Sequence, residues 1–138
     1  MKPTDDGDAF ASCRILLADD VAIGREIIQA LLKELRVACD AVENGEQAVR
    51  LARSTAYDLI LMDVQMPVMD GIAATRAIRT LPGCGRPPIV AITANASMAD
   101  HRECLNAGMD DFLLKPVRKT TLRAILEKWL RPQSTPAG

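Results

Sequence analysis

The chain has 138 residues, of which 49% are hydrophobic, so it holds one domain with enough apolar material for a core, and wholesale disorder is excluded. Lys plus Arg number 17 and Asp plus Glu 18, a formal charge of −1 that gives no long-range pull toward nucleic acid or acidic membranes. Aromatics are sparse (Phe10, Tyr57, Phe112 and Trp129), which argues against a base-stacking surface, and no apolar run nears the ~18 residues of a membrane span.

Residues 1–12 are polar apart from Phe10 and read as a loose arm. The start is acidic and has no apolar segment, unlike a signal peptide. Ile15-Leu16-Leu17-Ala18 is a first short apolar run. Ile23, Ile27, Leu31 and Leu35 then recur every four residues with Ile28 and Leu32 alongside, the mark of a helix. Val37 to Val42 is a second strand candidate. Asn44-Gly45 punctuates, and Glu46 to Arg53 suits a helix. Leu59 to Met62 is a third apolar run, followed by a loop with Pro67 and Gly71 and a helix to about Arg79. Residues 82–88 carry loop chemistry. Ile89 to Ile92 is the fourth run. Ser97 is a candidate cap for a helix that stops at Gly108. Phe112-Leu113-Leu114 is the fifth run. Leu122, Ile125, Leu126, Trp129 and Leu130 form a last helical stripe that halts before Pro132. Residues 132–138 read as a tail.

Five short strands thus alternate with five helices. The strands are continuously apolar, which suits a parallel sheet covered on both faces, and the expected product is a three-layer α/β domain. The four cysteines, Cys13, Cys39, Cys84 and Cys104, are scattered without a CxxC and read as reduced thiols of a cytoplasmic protein.

The chemical signal is positional. The first run ends in Asp19-Asp20, the third in Asp63, the fourth in Thr93 and the fifth in Lys115. In a parallel sheet these carboxyl ends share one rim, where open α/β sheets bind ligands. Each residue alone has a plain reading: Asp19-Asp20 as helix caps, Asp63 as a loop aspartate, Thr93 as an ordinary strand end, Lys115 as an exposed strand end. Their arrival together at successive rim positions favours a site. Three clustered carboxylates repel one another and call for protons or a cation, and hard oxygen donors suit Mg²⁺. With Lys115 and Thr93 beside it, such a cleft would attract a phosphoryl group, and an aspartate there is a competent nucleophile.

Between residues 14 and 130 the sequence resembles the receiver domain of two-component response regulators. The resemblance rests on Ala18-Asp19-Asp20, on Asp58 through Gly71 around Met62-Asp63-Val64-Gln65-Met66-Pro67, on Ile92-Thr93-Ala94-Asn95-Ala96, and on Ala107 through Pro116. It implies a flavodoxin-like (βα)5 fold, a five-stranded parallel sheet of order 2-1-3-4-5 with helices on both faces, over residues 13–131. It implies Asp63 as phosphoacceptor, with Thr93 and Lys115 as its partners in the chemistry. Asp20 and Asp63 would ligate Mg²⁺ directly, with Asp19 acting through water and Gln65 through its backbone carbonyl; Mn²⁺ is an alternative ion. Thr93 and Phe112 would form the switch, altering the face made by the fourth helix, fifth strand and fifth helix. Ala94 would leave the phosphoryl group access, and the Lys115-Pro116 bond would be cis. Phe112 stands where tyrosine is frequent, and Gly24 where receivers of this kind often carry asparagine.

The implied partners are a histidine kinase or histidine phosphotransfer domain and a downstream protein target. No nucleic acid or membrane contact is expected; the domain is expected to be a monomer, with a phosphorylation-dependent dimer as the alternative. The Thr-Ala-Asn-Ala and Ala-Gly-Met-Asp-Asp phrases look most like receivers attached to hybrid sensor kinases, and a stand-alone shuttle is the other reading. No effector domain is expected after Arg131. A haloacid-dehalogenase-type phosphatase would need an acid/base aspartate where Gln65 stands. A flavodoxin-like nucleotide site would be repelled by Asp19-Asp20. A docking module independent of phosphorylation is the remaining alternative. His101 reads as a surface histidine, and Arg118, Lys119 and Arg123 as a solvated or partner-facing edge.

Overall fold

The computed structural model of the chain describes residues 10–66, 68–82, 86–94 and 98–130. Strands β1 (Arg14–Ala18), β2 (Ala38–Val42), β3 (Leu59–Asp63), β4 (Ile89–Thr93) and β5 (Asp111–Leu114) alternate with helices α1 (Ala22–Glu34), α2 (Gly45–Ser54), α3 (Gly71–Arg79), α4 (Met98–Ala107) and α5 (Lys119–Trp129). All strand pairs are parallel, in the order β2-β1-β3-β4-β5. This is the arrangement that the resemblance implies.

The continuous apolar runs follow from two-sided burial. Ile15, Leu17, Leu59, Leu61, Val90 and Ile92 face a core closed by Ile28 and Leu32 of α1 and Leu122, Ile125 and Leu126 of α5. Leu16, Ala18, Ile60, Met62, Ile89 and Ala91 face a second core under α2, α3 and α4, where Ala48, Ala74, Ile78 and Cys104 pack. Every side chain of β3 is buried, and that central strand delivers Asp63.

Local chemistry sets the helix ends. Asn44 caps α2 by accepting from the Gln47 N–H, and Asp70 caps α3 by accepting from the Ala73 N–H. Helix α1 closes with the bonds Arg36 N–H to Lys33 O and Val37 N–H to Leu32 O, with Arg36 left-handed at φ 61°. Gly108, at φ +115°, ends α4, as the sequence suggests.

Two expectations change. Phe10, assigned to the loose arm, is 4% exposed and belongs to the core under α1 and α5, its carbonyl accepting from the Cys13 N–H. Ile23 and Ile27 do not join the core stripe of α1; they are 71% and 49% exposed, and Ile28, Leu32 and Leu35 carry the packing. The two sets share the spacing of four, and the docking angle of the helix decides between them. Residues 1–9, Cys84, Ser97 and the 132–138 tail lie outside the described residues.

Candidate phosphoacceptor site

The parallel order brings the ends of β1, β3, β4 and β5 to one rim. Asp20, Asp63, Thr93, Ala94 and Lys115 line one cleft there, of about 460 Å³, with Val21, Val64, Gln65 and Met66. The backbone closes it laterally: the Lys115 N–H donates to Thr93 O at 2.9 Å, and the Val64 N–H to Ile92 O at 3.1 Å. The Lys115-Pro116 peptide is cis.

Asp63 is 3% exposed. Its Oδ2 accepts from Lys115 Nζ at 3.1 Å and its Oδ1 from the Gln65 N–H at 3.1 Å. Burial pushes its carboxyl up to about 6, although the Lys115 ammonium and the Gln65 N–H pull the other way; the nearby Asp19 charge adds to the rise. Asp19 is 1% exposed, and its Oδ1 accepts from the Val21 N–H at 3.0 Å. Arg25 reaches back to donate to the Asp19 carbonyl at 2.9 Å. Asp20 is exposed at the mouth.

Carboxylate oxygens of Asp19, Asp20 and Asp63 lie within 4.8 Å of one another. This all-oxygen donor set fits a hard divalent cation that keeps part of its hydration shell, the chemistry of Mg²⁺. Glycines make room for the cluster. A Cβ at Gly71 would collide with the Asp63 carbonyl, and one at Gly24 would stand 3.1 Å from Asp19 Oδ2.

His101, read from the sequence as a surface residue, is half-buried. Its ring stacks on Phe112, with centroids 3.9 Å apart and planes 12° from parallel. The signal was present in the helix period: His101, Cys104 and Ala107 recur at i, i+3 and i+6, and the last two are buried. Lys119 pairs with Glu34 and Arg123 with Glu127, so the basic edge of α5 is partly offset by acids.

A family model described as the response regulator receiver domain matches residues 15–127. Among curated proteins, the sensor protein GacS of Pseudomonas syringae pv. syringae is 42% identical over 119 residues, covering 84% of this chain and 13% of that protein. The hybrid signal transduction histidine kinase B of Dictyostelium discoideum is 42% identical over 120 residues, covering 79% of this chain and 6% of the kinase. The chain thus spans a small part of the length of these relatives. Among solved structures, the receiver domain of sensor histidine kinase PA1611 from Pseudomonas aeruginosa PAO1, with a magnesium ion coordinated in its active-site cleft, matches with a TM-score of 0.80. It is 44% identical, and 85% of this chain and 96% of that one are covered. A Saccharomyces cerevisiae receiver domain, that of Ssk1 in complex with the histidine phosphotransfer protein Ypd1, matches with a TM-score of 0.80 at 32% identity, covering 87% of this chain and 90% of that one.

Proposed function

This chain belongs to the response regulator receiver family of two-component signalling, and we propose that it accepts a phosphoryl group from a phosphohistidine onto Asp63. The observation that carries the reading is the Asp63 carboxylate, buried, oriented by the Gln65 N–H, paired with Lys115 and set beside Asp19 and Asp20.

Asp63 attacks the phosphorus, the P–N bond breaks, and the imidazole of the donor leaves and takes up a proton. An acyl phosphate on Asp63 results, and water later returns carboxylate and inorganic phosphate. Lys115 holds a phosphoryl oxygen by a charge-assisted bond, and Thr93 donates to another. Ala94 leaves the line of approach open. Asp20, Asp63 and the Gln65 carbonyl, with Asp19 through water, would hold Mg²⁺, which when bound supplies positive charge that offsets the charge on the phosphoryl oxygens. Mn²⁺ offers the same hard coordination.

Exposed Val21 lines the cleft, exposed Ile23 and Ile27 follow it on α1, and such apolar surface suits contact with a macromolecular donor. A histidine kinase or histidine phosphotransfer domain fits that role, and the cytoplasm, where kinases draw on nucleotide, fits as its location. Turning Thr93 toward the phosphoryl group makes space for Phe112 and alters the face of α4, β5 and α5. A hundredfold change in the ratio of states takes about 2.7 kcal/mol, within reach of one or two charge-assisted bonds. The receiver unit read over 13–131 takes in the buried Phe10 as well.

The test is intact mass after incubation with a small phosphodonor, with and without Mg²⁺, for wild type and Asp63→Asn. A phosphate-sized gain that needs both Asp63 and Mg²⁺ is expected. Failure with the small donor and with a phosphohistidine donor, on folded protein, would make a phosphorylation-independent docking module the better account.

A further inference from the structure

The stacked pair His101 and Phe112 joins the Phe112 switch position to a second cavity. His101 lines a recess of about 370 Å³ together with Val64, Gln65, Thr93 and Cys104, and Phe112 does not. This is more than the roughly 150 Å³ that accommodates a benzene ring. The recess shares Val64, Gln65 and Thr93 with the cleft at Asp63, so the two adjoin, and His101, which lines the recess, carries the Phe112 ring stacked on it. The imidazole Nε2 is buried with no hydrogen-bond partner among the described residues. A native structure seldom tolerates such an atom without a reason.

We propose that His101 is a positioning residue, a latch ring that keeps Phe112 out of the recess beside Thr93 until the site is phosphorylated. The inference rests on the phosphoacceptor reading of Asp63. Phe112 has no hydroxyl, so no polar anchor fixes its place; shape and the neighbouring ring do. The near face-to-face stack at 3.9 Å is tighter than the offset or edge-on arrangements that aromatic pairs prefer. Together with the unpaired Nε2, this makes the resting arrangement poised. When His101 swings outward, its Nε2 meets water and the recess opens to the Phe112 ring. The two rings then move as one step, and the length and chemistry of the side chain at 101 set how readily the switch turns.

The chain has two phenylalanines, so labelling with 4-fluorophenylalanine gives a ¹⁹F spectrum in which the buried Phe10 is the reference and Phe112 the reporter. Wild type is recorded free and with Mg²⁺ and beryllofluoride, a phosphoryl mimic, to fix the resting and switched positions of the Phe112 signal. In free His101→Ala the signal is expected to move toward the switched position. Phosphorylation of Asp63 by a small phosphodonor is expected to speed up about two- to tenfold, the range that one aromatic pair controls. His101→Phe keeps a ring to stack and removes the unpaired nitrogen; its new ring adds a third signal, and the Phe112 signal is the one lost in the double variant His101→Phe/Phe112→Leu. The single variant is expected to return both readouts to wild type or past it toward rest, which a merely structural role would not do. If His101→Ala fails to fold, His101→Phe decides alone: its signal must stay at the resting position or pass beyond it, and its rate must not exceed that of wild type. Equal Phe112 signals and equal rates in wild type and His101→Ala, both folded, would overturn the latch while leaving the phosphoacceptor intact. Absence of phosphorylation in wild type would instead remove the phosphoacceptor reading, and the latch with it.

Discussion

Lys115 Nζ donates to Asp63 Oδ2 at 3.1 Å, joining residues 52 positions apart at the ends of two strands that are not neighbours in the sheet. Among the described residues the lysine is the one ammonium that meets the buried carboxylate, while Asp19 and Asp20 crowd it with like charge. Removing it by Lys115→Met separates two effects. Phosphorylation by a small donor is expected to fall by on the order of 10²-fold, as when one preorganised donor to a transition state is lost. Mg²⁺ affinity, read by calorimetric titration, is expected to tighten, because a competing positive charge has left. Weaker Mg²⁺ binding would show that Lys115 orders the carboxylates rather than competing with the ion.

Burial of Asp63 makes the metal-free protein pH-sensitive. Its folded-state value of about 6 lies above the ordinary 3.8, so between these values the folded protein holds a proton that the unfolded chain has lost. Stability therefore falls as pH rises through this window, and the penalty is complete above it. In chelator, Asp63→Asn is expected to be more stable than wild type by about 2–3 kcal/mol at pH 7.5, and to lose that advantage below pH ~4. Urea melts at the two pH values check this. A difference independent of pH would place its origin elsewhere.

Gly71 is the backbone neighbour of the site. A Cβ there meets the Asp63 carbonyl and the Met62 side chain. Gly71→Ala is expected to cost about 1–3 kcal/mol in thermal or urea unfolding, in the manner of overpacked cores, despite the better helix propensity of alanine. Mg²⁺ affinity is expected to fall as well, because the end of β3 must shift. A variant as stable as wild type with unchanged Mg²⁺ binding would show that the start of α3 yields instead.

Asp111 ties the start of β5 to the end of α5. It accepts from Trp129 Nε1 at 2.9 Å and from the Phe112 N–H at 2.8 Å, and Lys128 Nζ lies 2.9 Å away. Burial alone would raise its carboxyl, but these three partners hold it below the usual range. The stability that it adds is thus present above its unfolded value of 3.8 and is lost as pH falls through the lower folded value. Asp111→Ala is expected to cost about 1–3 kcal/mol at neutral pH, a gap that narrows in strong acid. Trp129, the one tryptophan of the chain, reports it through fluorescence-detected melts. A gap of constant size from pH 7 to pH 2 would rule out the charged bonds as its source.

The alternation of five strands and five helices was legible in the chain, because two-sided burial writes uninterrupted apolar runs and one-sided burial writes a stripe. The rim positions of Asp19, Asp20, Asp63, Thr93 and Lys115 were legible too, since an apolar strand that stops at a polar residue marks the rim of a parallel sheet. Which residues of a stripe face inward depended on how the layers pack. Ile23 and Ile27 share the spacing of Ile28 and Leu32, yet stand exposed to solvent, because the angle at which α1 lies on the sheet is set by the packing of both layers. Phe10 joined the core for the same reason: one aromatic ring in a polar stretch has no period to announce it, and only the groove under α1 and α5 shows where it fits. The stack of His101 on Phe112 is a meeting of two elements whose separation no local pattern encodes, and it depends on how close α4 approaches the edge strand β5.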